Sequence, residues 1–247
     1  MRLMLTLVPE VSAAPGSVTK HHVQAMIYSH LQGTPYEELH DRPGFKFFNF
    51  SNLFPRLDVQ AGEVKHLIIS SPDEGFVETL YEKLTPAERL YLGKVPFRLT
   101  GLKRFRLRPT GAFITDTPVV IRYRNRFFSF YKDRDVNYFL NTIKENAIEK
   151  YTSFTGEPFE LKGPLFTRLV PYKRKKGWLD VYVRVTFNGR SKTVVGSLWK
   201  RLEFRLDNQN KEFYTFIMET GVGALNSLGF GFVNPVRGRW KVDPENR

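Results

Sequence analysis

The chain predicts an α+β fold in two halves, each interleaving strands with amphipathic helices. Three observations carry this expectation. Residues 2 to 100 order their apolar patterns as β-α-β-β-α-β, Pro109, Gly111 and Pro118 form a break near the middle, and strands and helices then resume. The first order is the ferredoxin-like one.

The elements of the first half follow from local pattern. Residues 2 to 8 alternate apolar and other side chains and read as a strand, and Ser12 to Gly16 is a small, polar connection. Thr19 is placed as an N-cap for a helix whose apolar stripe is Val23, Met26, Ile27 and Leu31. Thr34-Pro35, followed by Glu37 and Glu38, has the cap, early proline and early acids of a short second helix that His40 would finish. Pro43-Gly44 turns the chain, and residues 45 to 50 and 64 to 70 read as strands. Ser71-Pro72-Asp73 opens a helix carrying Phe76, Val77, Leu80 and Leu84, and residues 89 to 100 return as strand.

The second half repeats the theme less cleanly. Strands are expected at 118 to 123 and 126 to 131, then a helix from Asp135 to about Lys150 with Phe139, Ile143 and Ile148 inward. Residues 159 to 171, 178 to 187 and 192 to 206 are rich in strand formers. Phe213, Phe216, Ile217 and Thr220 then recur at helical spacing, so a helix should end near Thr220 with Gly221 as a left-handed cap, and Leu228 to Val233 should form a short buried strand.

Composition narrows the function. The 247 residues, 41% hydrophobic, can bury a sizeable core, and charges interrupt every apolar run before the ~18 residues of a membrane span. Met1 to Val8 is too short for a signal-peptide core and has no cleavage pattern after it, so an intracellular, cytoplasmic protein is expected. The absence of cysteine excludes disulfides, thiolate nucleophiles and zinc ribbons. The five histidines, His21, His22, His30, His40 and His66, form no HxxxH or HExxH pair, so neither a metal nor another cofactor is expected. A net charge of +13 and a pI near 9.9 point to a polyanionic partner.

The most telling stretch is Gly221-Val222-Gly223, then five residues, then Gly229-Phe230-Gly231-Phe232-Val233. A dinucleotide site needs strand, glycines, helix, whereas here a helix precedes the glycines. Gly229 to Val233 also matches the core of the RNP1 octapeptide, which would want a basic residue at 228 and an aromatic at 235, where this chain has Leu228 and Pro235. The glycines, with Asn226 and Ser227 between them, read as a loop whose backbone N–H groups could approach a large anion.

Residues 221 to 231 resemble the C-terminal glycine-rich loop of the CRISPR repeat-processing endoribonucleases of the RAMP superfamily. The resemblance implies two tandem ferredoxin-like lobes, placed at 1–115 and 116–247. It also implies a CRISPR repeat RNA, single-stranded or weakly structured, as partner; a homodimer or a place in a CRISPR effector complex stays open. Relatives that cleave use a tyrosine on the first helix, a histidine after it and a lysine six residues beyond. Here these are Tyr28, His40 and Lys46.

These residue types suit metal-free RNA cleavage by the substrate's own 2′-hydroxyl. An imidazole titrates near pH ~6.5 and can protonate the departing 5′-oxygen, a role that the carbonyl end of a short helix would favour. A tyrosine, with an ordinary pKa of about 10, suits orientation of the 2′-hydroxyl better than proton removal. A lysine can steady the transition-state charge. Basic stretches supply the expected RNA surface: Lys173, Arg174, Lys175 and Lys176 before Trp178 at a hairpin tip, Lys103, Arg104, Arg106 and Arg108 on an extended segment, and Arg122, Arg124 and Arg126 around Tyr123. The rivals are a non-catalytic RAMP protein gripping guide RNA and a general module of the RNA-recognition type.

Overall fold

Alternation along the first strand sets the first layer. Leu3, Leu5 and Leu7 on β1 (Arg2–Pro9) are fully buried, and the intervening side chains face the other side of the sheet. Their cover comes from α1 (Lys20–Ser29) and α2 (Glu74–Leu84), which press Val23, Met26, Ile27, Phe76, Val77 and Leu80 onto them. Each such side chain contributes roughly 1.5–3 kcal/mol by leaving water. The computed structural model describes residues 1–55, 58–172, 179–187 and 190–236.

The remaining elements of the first sheet are β2 (Asn49–Phe50), β3 (Lys65–Ser70), β4 (Arg89–Leu92) and β5 (Val95–Phe105), in the order β2-β3-β1-β5-β4. Leu5 stands opposite Leu67 on one side and Leu102 on the other, both pairings antiparallel. With β5 as the fourth strand and β4 as a hairpin appended to it, this is the ferredoxin-like order.

The second sheet uses β6 (Ala112–Thr115), then, after the hairpin β7 (Arg122–Tyr123) and β8 (Arg126–Phe127) and the helices α3 (Phe130–Asp133) and α4 (Val136–Thr155), β9 (Arg168–Pro171). The hairpin β10 (Asp180–Phe187) and β11 (Arg190–Ser197) follows, then β12 (Trp199–Glu203), α5 (Lys211–Thr220) and β13 (Val233–Pro235). Its order is β13-β6-β12-β9, so fourth, first, third and second strands lie side by side as in the first lobe. The fold is two tandem ferredoxin-like lobes with separate cores. The first is built from residues up to Phe97, and the second begins at Phe113.

Several expected elements fall elsewhere. Of 45 to 50 only Asn49 and Phe50 are strand, because Phe47 has φ +50° and breaks the extended run. The strand at 89 to 100 is a hairpin turning at Gly93 (φ +67°) and running on to Phe105. The second lobe opens at β6, ahead of the expected 118 to 123, so the chain crosses between lobes before residue 112 rather than after 115. Residues 126 to 131 divide into β8 and the start of α3, and 159 to 171 is strand only from Arg168. The helix expected to end near Lys150 runs to Thr155, where Gly156 in the left-handed conformation stops it.

Arg2 fastens the lobes together. It is fully buried, donates to the carbonyls of Met218 (2.9 Å) and Val233 (2.7 Å) and to Asn234 Oδ1 (2.5 Å), and lies over the Phe232 ring. Desolvation lowers its pKa to about 10, with Glu219 and Asp116 opposing.

Candidate active site

Tyr28 reaches the site because of helical spacing. Lys20, Gln24 and Tyr28 stand four apart on α1 and share a face, next to the stripe of Val23, Met26 and Ile27 that anchors the helix in the core. The helix begins with a reciprocal cap: the Thr19 hydroxyl accepts from the backbone N–H of His22, while His22 Nδ1 accepts from that of Thr19.

His40 arrives from the segment after α1. Thr34 and its neighbours form one 3₁₀ turn, Glu37–Leu39, capped by His40. The turn is too short for an appreciable dipole, so the helix-end field expected to favour the imidazolium is not available. A carboxylate is present instead: His40 Nδ1 lies 2.6 Å from Asp41 Oδ1. With that nitrogen engaged, the exposed ring offers Nε2 to solvent. The Tyr28 ring stands edge-on to His40, centroids 4.9 Å apart, and edge-on to Phe48 at 5.7 Å.

Lys46 closes the loop. Its ammonium donates to the His40 carbonyl (3.2 Å) and to the Arg42 carbonyl, bending residues 40–46 into a ring and leaving one of three protons uncommitted. Desolvation lowers its pKa. Tyr28 is shifted the other way: burial raises it to about 12, and a hydrogen bond from the Ser227 side chain opposes this. Tyr28 is therefore a phenol at neutral pH.

Lys46 and Ser227 also line a cleft of about 430 Å³ between the lobes, with Phe48, Arg122, Lys150 and Asn226. The glycine-rich loop forms its far wall. Gly221, Gly223, Gly229 and Gly231 are all buried, however, and the N–H groups of Gly221, Gly229 and Gly231 donate to the carbonyls of Ile217, Asn226 and Pro118. The expected presentation of these amides to an anion is replaced by close packing. A Cβ at 221, 223, 229 or 231 would run into Asn49, Val120, Phe50 or Val222 respectively. Gly221 has φ +90° and ψ 167°, which turns the chain sharply but is not a left-handed helical cap. The expected strand from 228 is a 3₁₀ turn, Asn226–Leu228, followed by β13.

The loop's carbonyls are held by two lysines absent from the sequence-based site, the buried Lys150 and the half-buried Lys20. Lys150 on α4 donates to Gly221 O (2.7 Å), Gly223 O (3.3 Å) and Asn226 Oδ1 (2.8 Å), and Lys20 donates to Gly229 O (2.5 Å). Burial pulls each to about 7; for Lys20 the Asp116 carboxylate opposes it. Helical spacing to Tyr28 was the available signal for Lys20. Nothing in the pattern distinguished Lys150 from a surface lysine.

The expected binding residues are placed unequally. Arg104 and Arg106 pair with Glu78 and Glu74 of α2, and Arg104 also stacks on Tyr81. Arg126 pairs with Asp133. Arg122 lines the cleft and Arg124 lies over the Tyr123 ring; among the described residues neither is in an ion pair. Lys173, Arg174, Lys175 and Lys176 lie outside the described residues. Among the described residues no three His, Asp or Glu side chains are grouped to hold a metal ion, and no helix is long and apolar enough to cross a membrane.

Fold and site define a class: a protein of paired ferredoxin-like lobes whose titratable side chains gather where the lobes meet. Residues 103–235 match the family model described as CRISPR associated protein Cas6, C-terminal. The chain is similar to the CRISPR-associated endoribonuclease Cas6 2 of Methanocaldococcus jannaschii, 41% identical over 242 residues, which cover 96% of this chain and 100% of the relative. Two solved structures share the fold. One, described as CRISPR associated protein Cas6, is 22% identical with a TM-score of 0.70 and covers 96% of this chain and 99% of its own. The other, described as an RAMP protein binding different RNA substrates, is 18% identical with a TM-score of 0.71 and covers 96% and 100%. The chain belongs to the Cas6 family of CRISPR-associated endoribonucleases.

Proposed function

We propose that this chain binds CRISPR repeat RNA and cuts precursor CRISPR transcripts without a metal ion, with Tyr28, His40 and Lys46 as the reacting group. The observation that supports this most is their convergence. The Tyr28 and His40 rings are in edge contact at 4.9 Å, and the Lys46 ammonium is bonded to the His40 backbone.

The 2′-oxygen of the nucleotide before the cut attacks the adjacent phosphorus, its proton passing to solvent. The P–O5′ bond breaks, and His40 gives the 5′-oxygen a proton. The ends are a 2′,3′-cyclic phosphate and a 5′-hydroxyl. Tyr28, held as a phenol, orients the substrate by hydrogen bonding, and the free proton of Lys46 meets the charge that grows on the phosphate oxygens. Arg122 and Arg124 take backbone phosphates beside the cleft, and the lysines and arginine at 173–176 are further candidates for phosphate contact.

The test is a repeat RNA with a single 2′-deoxynucleotide at the cut. It should bind as tightly as the all-ribose RNA and not be cut. Cleavage at that position would show that an external nucleophile is used and refute the mechanism.

A further inference from the structure

Helix α4 turns a polar stripe to the inter-lobe cleft. Thr142, Asn146 and Glu149 share one helix face and line the cleft that holds Lys46. Ser153 continues the stripe into a second cavity of about 390 Å³, and Phe45, Lys46 and Glu149 line both cavities. The two therefore adjoin at the lysine proposed to meet the scissile phosphate. Two features of the stripe have no use in the fold. Glu149 is exposed and, among the described residues, in no ion pair or hydrogen bond, an anion in a cleft proposed to take a polyanion. Asn146 Oδ1 is buried without a partner, a cost to stability that no contact offsets, and Nδ2 is the donor its amide leaves to the cleft.

A carboxylate repels phosphate but accepts from N–H donors, and the bases differ in how they offer them. On its Watson–Crick edge guanine alone sets two donors side by side, N1–H and N2–H, next to the O6 acceptor. Adenine and cytosine offer one amino group beside a ring-nitrogen acceptor, and uracil one N–H between two carbonyls. We propose that Glu149 and Asn146 read a guanine on one side of the cut. The two Glu149 oxygens accept from N1–H and N2–H, Asn146 Nδ2 donates to O6, and the base stacks on Phe45. The stripe of α4 then selects which nucleotide stands beside Lys46, while the arginines hold phosphates whatever the sequence. This rests on the reading of Tyr28, His40 and Lys46 given above, which puts the scissile phosphate at Lys46.

The test is a set of repeat RNAs carrying each of the four bases at the nucleotide on either side of the cut. Affinity is measured in the His40→Ala background and single-turnover rates in the active protein, each with and without Glu149→Gln or Asn146→Leu. At one of the two positions guanine should bind about tenfold tighter than the other three bases, and inosine, which lacks only the 2-amino group, about threefold weaker than guanine. Glu149→Gln, whose amide sets a donor beside an acceptor, should turn the preference from guanine to adenine. Asn146→Leu should weaken the guanine preference about threefold without lowering the melting temperature, because the enclosed acceptor is gone. Equal affinity for all four bases at both positions would overturn the proposal, and so would a guanine preference that Glu149→Gln leaves intact. Tighter binding of every RNA alike by Glu149→Gln would also overturn it, making Glu149 a surface acid that only repels phosphate. Cleavage by His40→Ala at the wild-type rate would remove the catalytic reading, and a guanine preference in the rates that Glu149→Gln turns to adenine would stand without it.

Discussion

Tyr28 stands edge-on to His40 with ring centroids 4.9 Å apart, although the two are twelve positions apart in the chain, with a 3₁₀ turn between them. One comes from a helix anchored in the core and the other from an exposed loop. In the proposed mechanism the loop residue supplies the proton and the helix residue holds the ribose side.

Because burial holds Tyr28 at about 12, it keeps its proton throughout the range in which RNA can be assayed. Tyr28→Phe should slow cleavage by the same factor at every pH from about 6 to about 9. A ratio of wild-type to variant rates that climbs tenfold per pH unit would mean that the phenolate acts as a base.

The glycines of the loop are expected to matter for folding before binding. Gly231 has φ +67°, and a Cβ there would run into the Val222 carbonyl, which is backbone and cannot move aside. Gly231→Ala should cost at least ~2 kcal/mol of stability in urea unfolding. A variant of native stability with weakened RNA affinity would place the glycine at the RNA instead.

Lys150 ties stability to pH. Its folded pKa, about 7, lies below its ordinary 10.5, so between these values the unfolded chain binds more protons and stability rises with pH. Its contribution is complete above about 10.5 and lost as pH falls through about 7. The melting temperature of the wild type relative to Lys150→Met should therefore climb from about pH 7 to about pH 10. A constant difference would show that the three carbonyl and amide acceptors keep the ammonium charged.

Ion pairing separates the arginines. Arg106→Ala removes a cation already matched by Glu74 and should leave the salt dependence of RNA binding unchanged. Arg122→Ala should flatten the log-log slope by about 0.7, the value for one phosphate contact on a single strand. Equal effects at both positions would put the RNA along the segment that follows β5 as well.

The architecture was legible because strands and helices carried their period openly. Leu3, Leu5 and Leu7 alternate, and Phe76, Val77, Leu80 and Leu84 keep helical spacing. Where tertiary contacts override period, the local pattern misleads. Phe47 faces the second core from a left-handed backbone, so an apolar run that resembles a strand is a loop. The strand at Ala112–Thr115 is four residues long between turns, too short to announce itself. At the site, Tyr28, His40 and Lys46 were selected by spacing within a family pattern, and the structure brings the three together. The uses of Lys20 and Lys150 depend on which lobe folds against which, and that is not written in any local pattern. Arg104 and Arg106 looked free because their glutamate partners, Glu78 and Glu74, lie about thirty residues away on α2.

The most direct measurement is cleavage of an end-labelled CRISPR repeat RNA in EDTA by wild type and His40→Ala, with the new ends mapped. We expect one cut by wild type, leaving 2′,3′-cyclic phosphate and 5′-hydroxyl ends. His40→Ala should be slower by about 10² or more at undiminished affinity. Tight binding with no cut by the wild type across several repeat sequences, or a strict need for magnesium, would contradict the proposed mechanism.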